Sequence, residues 1–124
     1  AATRVLRRAQ KLKGEGKGNE WMLIDLGPLG KTLYTANHLV SLRGPQTRSD
    51  PFVNIARTSK PTLIVHGLAD RLADPNVADQ LQKCGASESQ VALTKVAGAD
   101  HLFHGRQETL QKIIYQWLVE QLRQ

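Results

Sequence analysis

The apolar positions of the second half of the chain fall into two short unbroken runs and two helical stripes. "PTLIVHG" (residues 61–67) is a continuous apolar run rich in β-branched residues, which predicts a strand covered on both faces, as in a parallel sheet. Asp74 followed by Pro75 then starts a helix. The carboxylate is placed to accept orphan amide protons, and proline suits the first helical position. That helix, "PNVADQLQKCG", buries Val77 and Leu81, with Cys84 packed at its end, and Gly85 stops it. "QVALTKVAG" (residues 90–98) predicts a second strand, with "ADHLFHGR" as its exit loop. Finally "QETLQKIIYQWLVEQLRQ" aligns Leu110, Ile113, Ile114, Trp117, Leu118 and Leu122 along one helical stripe. Strand, helix, strand, helix in this order predicts parallel strands joined by a right-handed crossover.

The first half is less regular. In "TRVLRRAQKLKGEGKG", Val5, Leu6, Ala9 and Leu12 share one helical face while Arg4, Arg7, Arg8 and Lys11 take the other, an amphipathic basic helix. The three glycines that follow stop it; a phosphate-cradling loop would need a strand before it, and here a helix precedes. "NEWMLIDL" reads as strand-like or irregular and "GPLG" as a turn. "KTLYTANHLVSL" (residues 31–42) reads as a second helix, because Leu33, Ala36, Leu39 and Val40 keep helical spacing. "RGPQTRSDPFVNIARTSKP" reads as a long connection. No internal repeat is present.

Length, charge and cysteine content narrow the classes. At 124 residues the chain fits one folding domain, and no run approaches the roughly 18 apolar residues of a membrane span. Residues 1–60 hold 11 Lys and Arg against 4 Asp and Glu, and residues 61–124 hold 6 against 7, so the net charge of +6 comes wholly from the first half. Without aromatic residues among the charges, a solvated helix face accounts for it better than a nucleic-acid surface. Cys84 is the only cysteine, which excludes an intrachain disulfide and a multi-cysteine metal site and points to a reducing compartment, the cytoplasm. The start, Ala-Ala-Thr-Arg, has neither an initiator methionine nor a signal core and fits a processed terminus or a piece of a longer chain.

In open α/β sheets, chemistry collects beyond the carboxyl ends of the strands. Asp70 and His101 follow the two predicted strands and emerge on that edge together. A carboxylate that accepts the Nδ1 proton of an imidazole fixes its tautomer and leaves Nε2 free to take a proton from a nucleophile. Blander roles suit the neighbours: Asp74 as a helix cap, Asp100 as a turn residue, His66 and His104 as structural histidines. A metal site built from His66, Asp70, His101 and His104 lacks supporting spacing.

These residues resemble those of a known family. "PTLIVHGLADRLADP", then "VALTKVAGADHLFHGR", then a closing amphipathic helix is similar to the C-terminal part of an α/β-hydrolase, whose triad runs serine, acid, histidine along the chain. The resemblance places the acid on Asp70, within "HGLAD", and the base on His101, within "GADH". It covers residues 60–124, with residues 1–59 as a helical, cap-like connecting segment. It implies an α/β fold, a small-molecule acyl substrate and no cofactor. The family's G-x-S-x-G elbow and oxyanion loop have no counterpart: Ser41, Ser49, Ser59, Ser87 and Ser89 lack the flanking glycines, and Cys84 sits at a helix end. The chain therefore reads as the acid-base part of a serine hydrolase acting on ester, thioester or amide bonds. Its expected partner is the missing N-terminal half or a second copy of itself, with neither nucleic acid nor a membrane span involved. The competing class is a non-catalytic α/β binding module that uses the basic N-terminal helix.

Overall fold

The structure of the chain is a computed structural model that describes residues 2–87 and 90–123. These residues form a mixed helix-and-strand structure with two small sheets, one of them parallel, and they divide into two compact units between Asp50 and Pro51.

The first unit contains α1 (Ala2–Gly14), β1 (Trp21–Asp25), β2 (Lys31–Thr35) and α2 (Ala36–Arg43). The basic helix forms as its pattern predicts. Arg4, Arg7, Arg8 and Lys11 are exposed, Ala9 is fully buried, and Val5 and Leu12 pack against the core. Gly16, at φ +75°, supplies the left-handed residue that turns the chain after α1.

Strands β1 and β2 pair antiparallel, with Trp21 opposite Thr35, Leu23 opposite Leu33 and Asp25 opposite Lys31. This corrects the helix expected over residues 31–42, whose first five residues are strand. Leu33 and Ala36 keep helical spacing yet belong to different elements, and the Thr-Leu-Tyr-Thr run favours a pleated surface. The change of element falls at Thr35, whose backbone is extended (φ −71°, ψ 154°) and whose Oγ1 accepts the His38 amide at 3.1 Å. Thr35→Ala is therefore expected to lower the stability of this unit by about 1 kcal/mol, read as a shift of the urea midpoint at unchanged slope.

The core of the unit is Ala9, Met22, Ile24, Ala36 and Leu39, so the helices cover one face of the hairpin. The alternate positions Trp21, Leu23 and Leu33 are exposed.

The second unit contains α3 (Pro51–Arg57), β3 (Thr62–Gly67), α4 (Asn76–Cys84), β4 (Val91–Val96) and α5 (Gln107–Leu122). Helix α3 lies in the stretch read as a connection; Pro51 starts it, where the missing amide proton costs nothing, and it packs on α4. The break between the units thus precedes α3, whereas the sequence pattern placed a division after residue 59.

Strands β3 and β4 are parallel, in register from Thr62 opposite Val91 to Gly67 opposite Val96. Among the described residues β3 has no other strand partner, and Thr62 to His66 are half-buried rather than covered on both faces. In α4, Ala78 is buried, Val77 and Leu81 are half-buried, and Cys84 is exposed rather than packed. Asp74 caps this helix as expected, its Oδ1 accepting the Asn76 amide at 2.9 Å. Along α5, Leu110, Ile113 and Trp117 are half-buried while Ile114, Leu118 and Leu122 stay exposed. No helix among the described residues is long and apolar enough to cross a membrane.

Candidate active site

The parallel pair ends with its two exit loops joined by backbone. Beyond β3, the Leu68 amide donates to the Val96 carbonyl at 2.9 Å and the Ala69 amide to the Ala99 carbonyl at 2.9 Å. Gly67 makes this approach possible, because a Cβ there would collide with the Ala99 carbonyl. The loops that carry the acid and the base are therefore in direct contact before either side chain is considered.

Asp70 closes a turn on itself. Its amide donates to the Gly67 carbonyl at 3.2 Å, and its Oδ1 accepts the amides of Leu72 at 2.8 Å and Ala73 at 2.9 Å. With Oδ1 occupied in this way, Oδ2 faces the next loop and lies 2.9 Å from Nδ1 of His101. The Asp70 side chain is only 4% exposed, whereas that of His101 is 40% exposed. Burial by itself raises the Asp70 pKa. The Ala73 amide, the His101 ring and the Leu72 amide outweigh it and bring the value down from 3.8 to about 2.

An ionised carboxylate can only accept, so the neutral His101 ring carries its proton on Nδ1 and turns a lone pair outward at Nε2. No described residue hydrogen-bonds to that Nε2. Chemically, a ring held in this way can act as a general base, with the carboxylate placed to stabilise its protonated form.

The Asp70 pKa also has a consequence for stability. Because the folded state holds the carboxyl below its ordinary value of 3.8, ionised Asp70 stabilises the fold fully above about pH 4. That contribution is lost as the pH falls from there towards about 2. Urea midpoints followed down through this range are expected to fall for the native chain and to fall less for Asp70→Asn, which has no such proton to take up.

The neighbouring residues sort themselves by the same hydrogen bonds. Asp74 caps α4 and takes no part in holding His101. Asp100 is a turn residue, as expected, with Oδ1 accepting the amides of Leu102 at 3.1 Å and His104 at 3.0 Å. Its Oδ2 also accepts Nδ1 of His104 at 2.7 Å, and the His104 amide and ring together lower its pKa. Phe103, at φ +56°, completes this bend in the left-handed region. His101 is thus displayed on a loop shaped by a second Asp–His pair, for which the four-residue spacing of Asp100 and His104 was the available signal. His66, read as structural, lies on the acid itself, with Nε2 3.0 Å from Asp70 Oδ2. Among the described residues no group of three or more His, Cys, Asp or Glu side chains could hold a metal ion.

Among the described residues of its own unit, neither the serines nor the cysteine stands beside His101. Ser59 and Ser87 precede β3 and β4, and Cys84 ends the helix leading to β4, all at the amino edge of the sheet. Six-residue strands separate that edge from His101 by about 20 Å. Ser41 and Ser49 belong to the first unit, where Ser49 Oγ is bonded to the Leu42 carbonyl at 2.6 Å and to Thr47 Oγ1 at 2.7 Å. Ser89 lies outside the described residues. No protein family, curated protein or solved structure was found to match this chain.

Proposed function

We propose that this chain supplies the acid and base of a serine hydrolase of the α/β-hydrolase type that cleaves ester, thioester or amide bonds. The nucleophile and the oxyanion hole come from a further polypeptide segment. The observation that carries this reading is the 2.9 Å hydrogen bond between Asp70 Oδ2 and His101 Nδ1, made by loops that leave adjacent parallel strands. The edge of β3 that has no strand partner among the described residues, and the exposed part of the α5 stripe, support a complementary segment, since both are surfaces a larger sheet and its helices cover.

In this reading His101 Nε2 takes the proton of a serine hydroxyl as its oxygen bonds to the acyl carbon. The imidazolium so formed is stabilised by Asp70, then gives the proton to the leaving oxygen, sulfur or nitrogen as the acyl-enzyme forms. Water, deprotonated by the same Nε2, attacks the acyl-enzyme, and the proton returns to the serine as the acid departs. Asp70 stays ionised throughout.

The test is to isolate the chain from its native source with whatever is joined or bound to it, and to treat the preparation with a fluorophosphonate probe. Labelling is expected on a serine in a G-x-S-x-G sequence outside these 124 residues, and abolished by His101→Ala. Stoichiometric labelling of Ser41, Ser49, Ser59, Ser87 or Ser89 contradicts the proposal, and no labelling at all favours the binding module.

A further inference from the structure

We infer that His66 is a positioning residue for the acid-base pair, an inference whose catalytic meaning rests on the hydrolase reading. His66 is the penultimate residue of β3, and its side chain is 13% exposed, close under the loop that carries the acid. Its Nε2 lies 3.3 Å from the Ala73 carbonyl oxygen and 3.0 Å from Asp70 Oδ2. Neither of these oxygens has a proton to give, so Nε2 carries the hydrogen, donating to Ala73 and standing beside the carboxylate oxygen that His101 uses.

Ala73 in turn donates its own amide to Asp70 Oδ1 at 2.9 Å. One imidazole N–H therefore closes the 70–73 turn from below while the turn's amides hold the carboxylate from above. No other described residue donates to the Ala73 carbonyl, and Leu68, Ala69, Arg71 and Leu72 around it are exposed. Without His66 the direction of Oδ2 depends on two amide bonds within a solvent-facing loop. An aliphatic side chain at this place in β3 would pack as well and hold nothing.

A purely electrostatic role predicts the opposite behaviour on removal. If His66 only drew charge from Oδ2, its loss would strengthen the hold of the carboxylate on His101. A positioning role predicts that the hold weakens.

The test uses the full chain labelled with ¹⁵N-histidine, which has only four rings to assign, and reads the tautomer of neutral His101 from long-range ¹H–¹⁵N spectra. In His66→Leu the ratio of Nδ1–H to Nε2–H tautomer at His101 is expected to fall roughly tenfold, the equivalent of about 1.4 kcal/mol of a charge-assisted hydrogen bond. His66→Gln, which keeps a donor near the Nε2 position, is expected to restore most of it. An unchanged or raised ratio in His66→Leu overturns the inference. Should the Leu variant fail to fold, loss of the tautomer in a folded Gln variant overturns it as well. The tautomer response does not depend on activity, so a failed probe experiment with an intact response sinks the hydrolase reading alone.

Discussion

On the proposed hydrolase reading, His101→Ala in the assembled protein is expected to lower kcat by several orders of magnitude, and Asp70→Asn by up to ~10⁴-fold with little change in KM. The two numbers have different origins. Removing the ring removes the base outright. An amide in place of the carboxylate keeps the volume, but it can offer an N–H where an acceptor is required, so the ring settles with its proton on the wrong nitrogen and the imidazolium loses its partner. Asp74→Asn provides the comparison. Asp74 holds the first turn of α4 through the Asn76 amide, and its replacement should change stability slightly and turnover hardly at all. Steady-state kinetics on the three variants decides the matter, and a loss below tenfold for Asp70→Asn would remove the acid role from it.

The chain by itself is expected to self-associate with its secondary structure retained, and to bind a hydrophobic dye. Two surfaces drive this. The edge of β3 away from β4 has no strand partner among the described residues, and the α5 stripe continues into exposed Ile114, Leu118 and Leu122. The interior of the second unit is correspondingly slight: among its described residues Ala78, Val91, Val96 and Ala99 are the buried apolar ones, and Val91 is the largest of these with no exposure. Against a usual stability of ~5–15 kcal/mol, so small a core leaves little margin, and covering these surfaces matters more than any single contact within them. Sedimentation velocity over a range of concentrations, with dye fluorescence, tests the expectation. A monodisperse monomer that unfolds cooperatively and binds little dye would contradict it and would strengthen the case for a self-sufficient binding module.

The readable parts of the fold are those where one pattern had one interpretation. The Thr62–Val65 run, the Asp-Pro helix start and the stripe of α5 each matched a single element, and the parallel pairing of β3 with β4 follows from their order. The first half misled where two periodicities overlapped. Leu33, Ala36, Leu39 and Val40 sit three, three and one residue apart across a strand-to-helix junction, so a helical spacing arose from two elements. In β1, exposed Trp21 and Leu23 alternate with buried Met22 and Ile24, and apolar residues on both faces erase the alternation that marks a half-buried strand. At the site, the meeting of Asp70 with His101 was legible because strand order brings their loops to one edge. The place of His66 was not, because a histidine inside an apolar strand is compatible with many packings and only the wrapping of residues 70–73 brings the acid back over it.

The glycine that ends β3 has a consequence for assembly. Because residue 67 lets the backbone of one loop rest on the carbonyl of the other, Asp70 and His101 are carried by two loops joined through their backbones. On the proposed hydrolase reading, a nucleophile-bearing segment would have one body to align, and the loss of orientational freedom on docking would be taken once for the pair. The relative placement of carboxylate and ring has already been settled along the chain, at the cost of a position where even a methyl group cannot be added.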